Sequence, residues 1–218
     1  MINSFHDTKL LHVEHGMQFI MRIFSTIRSL PSITCLITIS LASLIQAQES
    51  WRDLYQPQEF DGMPCRIMTP LAFDANKDYP VIVSLHGAGG KGNNNKKQLK
   101  DWNHQLADEQ RRKDFPCYVV APQADELWNS GHLRKIKGVI NTLTSVDMSR
   151  IYILGHSMGG HGTYIFTQID PEFFAAAAPS AGSGLRRSEP FIDPEKIKDL
   201  PIWAFHGDKD GVCPIEKD

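Results

Sequence analysis

The pentapeptide Gly155-His156-Ser157-Met158-Gly159 constrains this chain more than any other stretch. Ahead of it runs the β-branched and aromatic segment Arg150–Leu154, and after it comes Met158–Ile169, with the spacing of a helix. A serine between two glycines at a strand-to-helix junction predicts a sharp turn that lifts its hydroxyl clear of the backbone. Gly155 and Gly159 are needed there because so tight a turn leaves no room for a Cβ at either flank. A hydroxyl presented in this way is a candidate nucleophile, so Ser157 is the first candidate site residue. The backbone N–H of Met158, the next residue, is a candidate donor to a developing oxyanion.

The rest of the chain alternates short β-branched runs with longer amphipathic stretches. Strands are expected over Cys65–Met68, Val81–Leu85, Cys117–Ala121, Arg150–Leu154, Ala175–Pro179 and Ile202–Phe205, and helices over Lys97–Lys113, His132–Leu143 and Met158–Ile169. That alternation predicts an α/β fold, a mostly parallel sheet with helices on both faces. The run Tyr79-Pro80-Val81-Ile82-Val83-Ser84-Leu85 is apolar on consecutive positions, as expected of a strand buried on both sides. Apolar residues at 41% and charged residues at 22% are those of a globular chain. A formal net charge of −2 gives no positive field to hold nucleic acid or an anionic membrane.

Two further segments carry chemistry. Leu85-His86-Gly87-Ala88-Gly89-Gly90 places a glycine-rich loop directly after an early strand. The backbone N–H of Ala88 is the second candidate oxyanion donor, and His86 is expected to bond the loop rather than to react. No Lys-Ser/Thr pair follows, so this is not a phosphate-binding P-loop. In His206-Gly207-Asp208-Lys209-Asp210, after the last expected strand, Asp208 and Asp210 compete as the acid that orients a catalytic imidazole, with Asp210 favoured. The histidines and cysteines show no metal-ligand spacing, and no cofactor is implied. Trp102, Trp128 and Trp203 are candidates for a pocket around an aromatic acyl group or for ordinary packing. Ser180 and Ser183 read as turn residues, and His161 as a helix-surface residue.

The N-terminus reads as a targeting segment. Arg22 and Arg28 precede an apolar run from Pro31 to Ile45, and Ala47 offers a small-residue cleavage position, with Met21 the expected working start. The run is too short for a stable membrane span. Residues 1–47 are therefore expected to be a leader and 48–218 the folded domain, secreted or periplasmic. Of the four cysteines, Cys65, Cys117 and Cys213 follow the leader; an oxidising compartment allows at most one pair among them.

These motifs together resemble the α/β-hydrolase superfamily, and within it secreted esterases of the feruloyl-esterase and polyhydroxybutyrate-depolymerase type, with carboxylesterase/phospholipase relatives. LHGAGGKGNNNKKQL resembles their oxyanion loop and its Asn-rich turn, VDMSRIYILGHSMGGHGTY their strand-elbow-helix block, FFAAAAPSAG the next strand, and HGDKDGVCP the acid loop. The resemblance spans residues 60–214. It implies a small or polymer-linked ester as substrate, Ser157 as nucleophile, and the second aspartate of the acid loop, Asp210, as its acid. The family order is nucleophile, acid, histidine, yet all nine histidines of this chain precede Asp210. The expectation is accordingly a domain incomplete at its C-terminus, lacking its last strand, its last helix and the catalytic histidine, and nearly inactive as given. A serine peptidase of the prolyl-oligopeptidase type, or a non-catalytic module that kept the fold and lost the base, are the competing readings.

Overall fold

The computed structural model describes residues 50–182 and 192–215. The leader expected over 1–47, and Ser183, lie outside the described residues. Pairing begins with a hairpin whose first strand was not expected: β1 (Tyr55–Phe60) and β2 (Met63–Met68), with Phe60 opposite Met63. The two-residue connection Asp61-Gly62 has φ 50° and 72°, the handedness that matches the twist of the flanking strands. β1 carries Pro57 and leaves Gln56–Glu59 exposed, so it lies at the sheet edge, where a missing N–H is tolerated.

β3 (Tyr79–Leu85), β4 (Tyr118–Pro122), β5 (Val146–His156) and β6 (Ala176–Ser180) complete a six-stranded sheet in the order β1-β2-β4-β3-β5-β6. The three pairs β4/β3, β3/β5 and β5/β6 are parallel, whereas β1/β2 and β2/β4 are antiparallel. Each of the first five expected strands falls on one of these elements. The sixth is looser: Ile202 and Phe205 make only isolated parallel bridges, to Ala177 and Ser180.

Alternation along the central strands feeds two cores. Val81, Val83, Leu85, Val120, Ile151 and Ile153 pack on the side of α3 (Ser130–Asn141) and α4 (Met158–Ile169), with Ile136, Val139, Ile140 and Phe166. On the other side, Val119, Ala121, Ile82 and Leu154 meet Leu99, Leu106 and Ala107, around α1 (Asp101–Leu106). Each fully buried aliphatic or Phe side chain contributes about 1.5–3 kcal/mol relative to exposure. Beyond α1 that second face carries a groove of 660 Å3 lined by Ile82, Tyr152, Leu154, Ala176, Ala178 and Trp203, running from the start of β3.

The single helix expected over Lys97–Lys113 is two. α1 stops at Leu106, and Asp108 starts α2 (Glu109–Asp114) by accepting from the Arg111 N–H at 2.9 Å. A carboxylate at that position satisfies one of the first-turn donors, and it sets a new N-terminus in mid-pattern. α3 begins two residues earlier than expected because Asn129 caps Gly131 and His132. α4 has the expected limits, and a short α5 (Pro194–Ile197) was not foreseen. Among the described residues no helix is long and apolar enough to cross a membrane.

Candidate active site

Register brings the candidate residues to one edge of the sheet. Leu85 is level with Gly155, His156 with Ser180, and Ser180 with Phe205. The segments that follow, the His86–Gly90 loop, Ser157 and the 206–215 loop, therefore leave the C-terminal ends of neighbouring strands. In open α/β sheets that edge is where ligands bind.

At the elbow Ser157 has φ 55° and ψ −120°, a conformation that side chains rarely adopt. An ordinary N-cap serine sits in the extended region and spends its oxygen on the N2 or N3 amide. Ser157 makes no such bond, so its hydroxyl is left clear of the helix it opens. The two glycines explain how the backbone reaches this shape. A Cβ on Gly155 would lie 2.3 Å from the Gly159 carbonyl oxygen, and one on Gly159 would lie 2.3 Å from that of Leu85. The Ser157 N–H donates to Ser180 O at 2.9 Å, tying the elbow to β6.

The glycine-rich loop comes up against this turn: a methyl on the Gly87 Cα would sit 3.5 Å from Ser157 Cβ. Ala88–Gly90 form one 3-10 turn, closed by Gly90 N to Gly87 O (2.9 Å) and Lys91 N to Ala88 O (3.2 Å). Ala88 and Met158 are each the first residue of a helical turn, where N–H groups have no acceptor inside the element. Both candidate donors thus lie at helical N-termini beside Ser157, and the dipole of the twelve-residue α4 favours negative charge at the same point. His86 is fully buried; its Nε2 accepts from Ala124 N at 3.0 Å and its Nδ1 donates to Gly87 O at 2.8 Å. Those partners fit a single neutral tautomer, and burial pushes the imidazole down to about 4.

Asp210 is held by its own loop. Oδ1 accepts from Val212 N (2.8 Å) and Cys213 N (2.9 Å). Foremost these two bonds, with the nearby His206 and His156 rings adding, hold the carboxyl below its ordinary range. Oδ2 lies 3.9 Å from His206 Nε2, which also donates to Cys213 O at 2.6 Å. Asp208 is exposed, without a hydrogen bond among the described residues.

The expectations for Ser180 and His161 need correction. Ser180 is not a turn residue but the last residue of β6, 3.2 Å from His156 Nδ1 through its Oγ. Trp128 belongs to the core and donates to His86 O (3.1 Å), and Trp203, 73% exposed, lines the groove on the second face. Trp102 alone of the three candidates lies beside the elbow, edge-on to His156 with centroids 6.1 Å apart and bonded to Ser84 Oγ. His161 is half-buried on α4 rather than on its surface, and burial pushes its imidazole down. Cys65 and Cys117 are thiols, so no two of Cys65, Cys117 and Cys213 pair with each other; burial raises both Cys65 and Cys117, Cys65 to about 12. No His/Cys/Asp/Glu group among the described residues has the geometry of a metal site.

Gln123, one residue past β4, escaped the sequence reading altogether. Its buried carboxamide bonds Gly90 O at 2.9 Å, and the only hint of it was the Asn-rich turn that it contacts.

No family model and no curated protein sequence matches the chain. Solved structures do. A thermostable esterase is 32% identical and superposes with a TM-score of 0.67 over 76% of this chain and 50% of its own. The acylaminoacyl peptidase of Pyrococcus horikoshii (16% identity, TM-score 0.56) matches over 80% of this chain and 35% of its own. A feruloyl esterase module from Clostridium thermocellum, complexed with sinapinate (15% identity, TM-score 0.53), matches over 70% and 65%. The chain spans half the length of the esterase and about a third of the peptidase.

Proposed function

We propose that this chain, which has the α/β-hydrolase fold, is the nucleophile-bearing part of a serine ester hydrolase. The observation that carries the reading is Ser157 itself: positive φ, hydroxyl unspent on helix capping, and first-turn amides on either side. Ser157 Oγ attacks the ester carbonyl carbon and its proton passes to an imidazole. The oxyanion is held by the Met158 and Ala88 amides, each donor worth roughly 2.7–4 kcal/mol in the transition state. Asp210, ionised at neutral pH, orients the imidazole and stabilises its cation. The alcohol leaves with the imidazolium proton, and water then releases the acid by the reverse sequence. In this fold the imidazole comes after the acid in chain order. The 32% identity to an esterase favours an ester over a peptide bond. Trp102 beside His156 suits an aromatic or other flat acyl group, on a small or polymer-linked ester. The leader read over residues 1–47 makes the enzyme secreted or periplasmic.

The test is Ser157→Ala in the full-length protein, assayed on matched aryl esters and anilides. Ester turnover falls by about 10⁴–10⁶ while the fold is retained, and the unmutated protein prefers the ester. Unchanged turnover would move the chemistry away from Ser157, and a preference for the anilide would favour a peptidase. His156→Ala and His161→Ala each leave turnover within tenfold. Loss to background in either would make that residue the base.

A further inference from the structure

We infer that Gln123 is a positioning residue that sets the orientation of the Ala88 amide, with the Asn-rich turn as its brace. The inference rests on the reading of Ala88 as an oxyanion donor. Gln123 is 1% exposed, and both hydrogens of its Nε2 and its Oε1 are engaged. Nε2 donates to Gly90 O at 2.9 Å and to Asn94 Oδ1 at 3.1 Å, and Oε1 accepts from Asn95 N at 2.6 Å. Gly90 closes the 3-10 turn that Ala88 opens, so whatever holds the Gly90 carbonyl fixes the plane of that turn. The neighbouring residue ties the same loop twice more: Ala124 N donates to His86 Nε2, and Ala124 O accepts from Gly92 N at 3.0 Å. Residues 123–124 therefore grip the loop just before and just after Ala88, through three bonds.

The Asn-rich turn secures Gln123 in its place. Asn95, at φ 53°, donates through Nδ2 to Gln58 O and Cys65 O, and its Oδ1 accepts from Gln98 Nε2 at 2.6 Å. Arg66 Nε donates to Asn95 O at 2.7 Å, and Gln123 N to Pro64 O at 2.8 Å. Besides its contact with the elbow, the oxyanion loop is thus tied by hydrogen bonds to β1, β2 and the residues just past β4. An oxyanion hole works only when its donors already point at the developing charge, so a turn free to rotate would lose rate without losing ground-state binding.

Gln123→Glu tests this at constant shape. A carboxylate has only acceptors, so both contacts made by Nε2 turn repulsive. In the full-length protein kcat for a 4-nitrophenyl ester should fall 10- to 100-fold with KM within threefold. The 15N-alanine cross-peak of Ala88 should shift while turnover-independent marks of the fold, the circular dichroism and remaining alanine peaks, stay in place. Asn94→Ala, at an exposed position, removes the acceptor of one Gln123 Nε2 hydrogen together with that of Lys96 N and Lys97 N; it should lower kcat three- to fivefold with KM within threefold. If Gln123→Glu lowers the melting temperature but keeps kcat, or if KM carries the loss, the positioning role is overturned. Should Gln123→Glu fail to fold, Asn94→Ala decides, and unaltered kcat there overturns the proposal. Retained turnover in Ser157→Ala would instead overturn the esterase reading beneath it.

Discussion

The two halves of the candidate site are built in opposite ways. On the nucleophile side, β5, the elbow and α4 are locked by backbone against backbone, with Gly159 pressed on Leu85 O and Ser157 N bonded to Ser180 O. On the acid side, the chain from Ile202 to Phe205 is held by isolated bridges to β6, and Trp203, Phe205 and Val212 are exposed. The nucleophile side has no freedom to adjust, because each close contact is between atoms that cannot rotate away. On the acid side four backbone bonds tie 201–205 to 177–181, and beyond Phe205 the loop takes its order from bonds to the Asp210 side chain. A strained serine needs an over-determined frame, whereas Asp210, proposed only to orient another group, can sit on a loop.

The largest effect expected from this contrast is on rate, at the acid. Asp210→Asn keeps an oxygen for the Val212 and Cys213 amides but removes the charge. Ester turnover of the full-length protein should fall roughly 10³–10⁴-fold, with melting little altered. Asp208→Asn should stay within twofold, and the reverse pattern would exchange their roles.

The next effect is on stability, at the glycines. Gly159→Ala forces a methyl into the Leu85 carbonyl, 2.3 Å away, and should cost about 3 kcal/mol or more in chemical denaturation. Gly207→Ala, on the acid loop, meets nothing within 4 Å and should stay within about 0.5 kcal/mol. Equal losses at the two positions would erase the contrast.

A smaller effect separates the halves by pH. His86, under the oxyanion loop, has its imidazole pushed down to about 4 from the usual 6.5. Between those values the unfolded chain binds the proton and the native chain does not, so stability is full above about pH 6.5 and falls as pH drops toward 4. From pH 7 to pH 5 the loss is about 2 kcal/mol from this residue, and His132 and His161, also pushed down by burial, add in the same direction. His86→Gln should flatten that slope in urea titrations. The low carboxyl of Asp210 acts in a separate window, contributing above the usual carboxylate range and fading as pH falls below it.

What could be read from the residues was whatever is encoded within a few positions along the chain. Gly155-His156-Ser157-Met158-Gly159 sets a strand, a turn and a helix by local sterics alone, and α4 accordingly has the limits read from its spacing. The β-branched runs gave the central strands for the same reason: a strand buried on both faces must be apolar throughout. β1 was not legible, because an edge strand with exposed Gln56–Glu59 and a proline shows neither alternation nor a continuous apolar run. The division between α1 and α2 was lost to an amphipathic pattern that runs through the break; the cap at Asp108 shows only in the geometry.

The elbow at Ser157, the Met158 and Ala88 amides and the loop of Asp210 were thus legible in the sequence itself, each through its own few neighbours. Their meeting was decided by tertiary structure, through the β3-β5-β6 order that lines up strand ends far apart in the chain. So were the bond from Ser180 to His156, the grip of Gln123 on Gly90 and the burial of His86. The reason is the nature of a polar side chain. Its hydrogen-bond capacity is fixed by its type, but which partner satisfies it depends on what the fold brings within 3 Å, and burial makes that choice compulsory.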